Sequence, residues 1–164
     1  MEKALFGAGC FWGVEHFFRE VPGVIEAVSG YAGGNVDHPT YKQVCTDKTG
    51  HAEVVEVTFD PAKVSYATLV DLFFKMHDPT QLNRQGPDFG TQYRSVIFTH
   101  SPEQERIARE ELAKAQASGR YKRPIVTGIE PAKPFWRAED YHQRYFETNG
   151  GSCHVSYDEL THSA

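Results

Sequence analysis

Apolar residues along this chain recur with two different spacings, and the changes between them mark out its elements. The run Ala4-Leu5-Phe6 makes a short strand of residues 3–7. Directly after it, Val14, Phe17, Phe18 and Val21 fall at i, i+3, i+4 and i+7, the stripe of a core-facing helix. That helix starts at about Cys10 and ends near Pro22-Gly23, since proline disfavours helix in the residue before it. A strand follows over residues 24–31. Residues 52–59 alternate, so Glu53, Val55, Val57 and Phe59 share one face and Val54, Glu56 and Thr58 the other. Ser65 caps a helix carrying Leu69, Leu72, Phe73 and Met76. Residues 94–99 form a strand. Ser101-Pro102-Glu103-Gln104 is a strong helix start, and that helix runs to Ser118-Gly119. The pattern closes with a strand at 125–129, a helix at 138–148 broken by Asn149-Gly150-Gly151, and an irregular tail. Residues 33–50 and 78–92 show no apolar period, and stretches of that length between elements are usually functional loops.

Strand, helix, strand, strand, helix, strand through residue 99 is the split βαβ order. It predicts an α+β fold: a two-layer sandwich with a ferredoxin-like core and a mainly antiparallel sheet. An appended helix-strand-helix and the irregular tail complete it. A chain of 164 residues suits one core, so a single domain over 1–164 is expected.

Charge then removes several function classes. A formal net charge of -5 and a pI near 5.9 offer no footprint for nucleic acid or an anionic membrane. No apolar run reaches the ~18 residues a membrane helix needs, and the start of the chain lacks a basic n-region, so a cytoplasmic protein is expected; a monomer is the default expectation, which the sequence itself leaves open. Cys10, Cys45 and Cys153 are odd in number and widely spaced. This favours thiol chemistry in a reducing compartment over a disulfide framework.

The chemistry centres on Gly9-Cys10-Phe11-Trp12-Gly13. A cysteine at a helix start faces unpaired N–H groups and the positive end of the helix dipole, which favour thiolate. Trp12 lies away from the apolar stripe and suits the wall of a site, whereas Phe11 falls beside the stripe and can pack inward. An inert buried cysteine remains the bland alternative. Glu53, at the head of an apolar strand face, is placed for a raised pKa and a general-acid role, against the alternative of a solvated or ion-paired strand end. Cys10 with His142 or His51 would suit a hydrolase, and a thiol peroxidase needs the same cysteine. His51-Ala52-Glu53 has half a zinc-deaminase motif, but no Cys-x-x-Cys completes it. A non-catalytic binding module would show no fast-reacting thiol.

Gly-Cys-Phe-Trp-Gly also resembles the signature of the A-type peptide methionine sulfoxide reductases. So do Gly30-Tyr31-Ala32-Gly33-Gly34, Pro39-Thr40-Tyr41, Gly50-His51-Ala52-Glu53, His77-Asp78-Pro79-Thr80 and Gly90-Thr91-Gln92-Tyr93-Arg94-Ser95, in family order. The resemblance implies reduction of the S epimer of methionine sulfoxide, free or in proteins. It gives Cys10 the role of nucleophile, Glu53 that of acid, and Tyr41 and Tyr93 that of holding the sulfoxide oxygen. Phe11 and Trp12 would enclose the methyl group, with Asp88 in the substrate pocket. It implies no metal and no bound cofactor: Cys153 resolves the sulfenic acid of Cys10, and thioredoxin reduces the disulfide. Gly-Ser-Cys-His around Cys153 departs from the family's usual tail context, and Cys45, four residues after Tyr41, is the competing resolver.

Overall fold

The computed structural model describes residues 1–145. Its elements in chain order are β1 (Glu2–Ala8), α1 (Phe11–Arg19), β2 (Val24–Ala32), α2 (Tyr41–Val44), β3 (Ala52–Phe59) and α3 (Tyr66–Lys75). They continue with β4 (Arg84–Gln85), β5 (Asp88–Phe89), β6 (Ser95–Thr99), α4 (Pro102–Ala117), β7 (Gly128–Pro131) and β8 (Trp136–Arg137). Six strands form one sheet in the order β7-β6-β1-β3-β2-β8, while β4 and β5 make a separate hairpin. Every pairing in the large sheet is antiparallel except β6 with β7. This is a mixed α+β fold with a mainly antiparallel sheet, as the pattern of strands and helices predicts.

Alternation in β1 and β3 gives the sheet two apolar faces. Ala4, Phe6, Val55 and Val57 join Phe17 and Phe18 of α1 and Leu69 and Phe73 of α3 in the main core. Phe6 stacks between Phe18 and Phe73, each ring 5.2 Å away. Burying each such ring stabilises by about 1.5–3 kcal/mol. Leu5, Val54, Val96 and Phe98 look the other way and are covered by Phe135. The predicted alternation of β3 holds: Glu53 lies on the main-core face, 1 % exposed.

Three expectations need correction. The predicted helix over 138–148 does not begin at 138: a 3₁₀ turn (Asp140–His142) is followed by extended Gln143 and by Arg144 at φ 52°, and Tyr145 is the first α-helical residue. The Gln143 amide bonds both backbone groups of Ser29 in β2, and the N–H of Arg144 donates to Glu15. These tertiary bonds outweigh local helix propensity. The predicted strand 125–129 is displaced to Gly128–Pro131, because Ile125 and Val126 give their N–H groups to Gln116 and Pro79 instead of to a strand. The two polar stretches are also not bare loops: the first holds α2, and the second holds the β4–β5 hairpin and a 3₁₀ turn (Thr91–Tyr93).

Candidate active site

Cys10 is the N-cap of α1, and its carbonyl accepts the Val14 N–H at 3.4 Å. The turn into it is made by Gly9 at φ 101°, a conformation that disfavours any side chain. A Cβ there would also lie 2.8 Å from Gln85 Cγ. Gln85 therefore rests directly on the turn, and its amide bonds the N–H and the carbonyl of Asp78. That pair closes the second loop over the cysteine.

The next N–H along α1, that of Phe11, donates to Glu53 Oε1 at 3.2 Å. Glu53 Oε2 is buried with no partner among the described residues. Desolvation pushes the Glu53 carboxyl from its usual 4.5 up to about 8, the Phe11 N–H opposing and Asp88 adding to the rise. Near neutral pH it keeps its proton.

The thiol behaves differently from its sequence expectation. Burial first, then the Glu53 and Asp88 charges, push Cys10 up to about 12, while the N–H groups of Trp12 and Gly13 lower it. The helix start acts in the expected direction and is outweighed. In the resting protein Cys10 is a thiol.

Two tyrosines approach the same point. Tyr41 begins α2, whose Thr40 and Gln43 form a reciprocal capping box. Tyr93 closes the 3₁₀ turn (Thr91–Tyr93). Burial raises both phenols, and each also feels the charge of Glu53; Tyr93 feels Asp88 and Cys10 as well. Both therefore remain hydroxyl donors at neutral pH. Their loops are clipped together by Asp47, which accepts the N–H of Thr91 at 2.8 Å and also its hydroxyl.

Trp12 is half-buried, and its indole N–H donates to His142 Nδ1 at 2.9 Å. Its ring stacks on Tyr145 at 3.8 Å, with planes 7° apart. Phe11 is fully buried beneath, its ring 5.1 Å from His142 and 6.3 Å from Tyr41, so it supports this aromatic group from the core side. Asp88 in β5 is half-buried. It lines, with Cys10, a cavity of about 770 Å³ that Glu53, Tyr41 and Tyr93 do not reach. Cys10 thus stands between an acid-and-tyrosine cluster and a larger space.

Sequence reasoning missed Glu139. It accepts the Tyr31 hydroxyl at 2.9 Å and the Tyr41 N–H at 3.0 Å, tying α2 to the strand β2. Lying inside a stretch read as a helix, it gave no signal. Cys45 is exposed and sits close enough to Tyr41 to act on its phenol. Cys153 lies outside the described residues.

The histidines proposed for a hydrolase are engaged elsewhere. His142 receives the Trp12 indole, and His51 Nδ1 accepts the Gly34 N–H while its Nε2–H donates to the Val36 carbonyl. Among the described residues no three His, Cys, Asp or Glu side chains converge as metal ligands.

A thiol next to a carboxyl that retains its proton, with phenol donors alongside, is equipped for two-electron sulfur redox chemistry and lacks the base a hydrolase needs. Comparison with known proteins narrows this class. The profile of the family described as peptide methionine sulfoxide reductase matches residues 2–164. The peptide methionine sulfoxide reductase MsrA of Geobacter sulfurreducens is 65% identical over 154 residues, covering 93% of this chain and 95% of that one. Mxr1 from Saccharomyces cerevisiae in reduced form superposes with a TM-score of 0.88 at 37% identity, covering 95% of this chain and 91% of that one. Mxr1 in complex with Trx2 also matches, with a TM-score of 0.63 at 28% identity over 88% of this chain and 84% of that one. The chain belongs to the peptide methionine sulfoxide reductase family, a family of oxidoreductases.

Proposed function

We propose that this chain, as a single monomeric domain in the cytoplasm, reduces the S epimer of methionine sulfoxide, free or in proteins, with thioredoxin as the reductant. The sheet order β6-β1-β3-β2 supports reading its core as a two-layer sandwich of the ferredoxin-like type. The observation that carries the mechanism is the Glu53 carboxyl, buried, held by the N–H next to Cys10, and protonated up to about pH 8.

Cys10 attacks the sulfoxide sulfur while Glu53 donates to its oxygen. The S–S bond so formed and the substrate S–O bond then break as the oxygen passes to the Cys10 sulfur, which releases methionine and leaves Cys10 as a sulfenic acid. One proton is needed on that oxygen, and the thiol supplies one in net terms, so Glu53 ends as it began. Tyr41 and Tyr93 hydroxyls stabilise the oxygen as its charge develops. Trp12 walls the methyl group with Phe11 packed behind it from the core side, and Asp88 lines the substrate side. Cys153 then condenses with the sulfenic acid, releasing water, and the dithiol of thioredoxin reduces the resulting disulfide to two thiols. No metal or bound cofactor enters any step.

The test is direct. Incubation with dithiothreitol and each epimer separately should yield methionine from the S epimer and little from the R, since a site fixing methyl, oxygen and lone pair is chiral. Equal rates would sink the assignment.

A further inference from the structure

The cavity beside Cys10 is larger than one sulfoxide side chain requires. At about 770 Å³ it falls in the range that holds drug-sized ligands. It starts at Cys10, passes Val14, Pro87 and Met76, and ends at the loop after α4. That end is basic. Lys75, Arg120, Lys122 and Arg123 all line it, against Asp78 and Asp88.

The positive charges are not all compensated. Lys75 pairs with Asp71 at 3.0 Å, and Arg123 approaches Asp78 at 4.0 Å. Arg120 lies 3.5 Å from the Lys75 carbonyl and beside the Tyr121 phenol, and neither it nor Lys122 enters an ion pair among the described residues. His77 adds no charge near neutral pH, since burial takes its ring down to about 4 and both nitrogens are bonded. The loop is held in place: the Tyr121 hydroxyl donates to the Phe74 carbonyl at 2.6 Å. A fixed basic end on a chain of net charge -5 selects for a negative partner.

We infer that this cavity receives the polypeptide flanking an oxidised methionine, and that it favours flanks carrying Asp or Glu, engaged by Arg120 and Lys122. The inference rests on the proposed reductase activity toward proteins. Because Cys10 lines the cavity, a chain lying in it runs beside the residue that attacks the sulfoxide. An acidic flank adds attraction in the bound state that is the same before and during reaction, so it lowers KM and leaves kcat unchanged.

The experiment uses three Gly-Ser peptides, each with one S-sulfoxide residue flanked on both sides by Glu, Gln or Lys, reduced with dithiothreitol as the only thiol. The expected kcat/KM order is Glu above Gln above Lys, with roughly a five- to tenfold span, the scale of a few exposed ion pairs. The span should reside in KM and shrink in high salt. Arg120→Glu with Lys122→Glu should reverse the order, and because the readout is a ratio, a general loss of activity does not imitate it. Equal values for the three peptides in the parent overturn the inference while leaving the reductase reading intact. So does a parent-like order in the double variant. If the double variant keeps the peptide order and raises KM for thioredoxin, the cavity serves the reductant and the inference fails. No reduction of any peptide or of free sulfoxide would overturn the reductase reading and this inference with it.

Discussion

Glu53 joins catalysis and stability in one side chain. Glu53→Gln preserves the shape and the acceptor for the Phe11 N–H but cannot give a proton to oxygen, so single-turnover reduction should slow by roughly 10²–10⁴-fold. In the parent, the step needs the protonated carboxyl and should fall as pH rises through about 8, an inflection the variant should lack. A stopped-flow series from pH 6 to 9.5 checks both. The stability effect has the opposite sense. Because the folded pKa lies above the unfolded one, the folded state binds the extra proton, and this contribution is fully present below pH 4.5 and lost as pH rises to about 8. Glu53→Gln should therefore melt above the parent at pH 8–9, the gap narrowing toward pH 5. Scanning calorimetry at the two ends would decide it.

At the scale of elements, the site depends on two loops meeting. Asp47 clips them through Thr91, and both residues are exposed enough that their bonds contribute little to global stability. Asp47→Ala should lower kcat by about tenfold or more through misplaced tyrosines, since errors near 1 Å can cost ~10²-fold, while Tm shifts only slightly. A large drop in Tm with unchanged kcat would contradict it. The sequence made other elements readable to different degrees. The alternation in β3 placed Glu53 on the core face, and the stripe of α1 put Cys10 at a helix start, because both patterns are short-range and strongly amphipathic. The extended segment after the 3₁₀ turn (Asp140–His142) was not readable, because its conformation is set by Ser29 and Glu15 more than a hundred residues away. The thiol of Cys10 shows the same limit in energies: the helix start favours thiolate, but desolvation, a tertiary property, decides the balance.

The whole molecule brings both halves of the chain to one place. Trp12, two residues after the cysteine, stacks on Tyr145, so the last described residue already lies at the site. Cys153 is 153 − 145 = 8 residues further on. At ~3.3–3.6 Å per residue, eight residues span up to roughly 28 Å, more than enough to return to a neighbouring sulfur. Cys45 is the rival, exposed and beside Tyr41 at the edge of the same cluster. Resolution follows oxygen transfer, so Cys153→Ser should still release about one methionine per enzyme in a single turnover. Turnover with thioredoxin should then collapse, and dithiothreitol, which attacks a sulfenic acid directly, should restore it. Cys45→Ser should match the parent in all three assays. If Cys45→Ser loses thioredoxin turnover and Cys153→Ser keeps it, the resolving thiol is Cys45, and the tail has no part in the cycle.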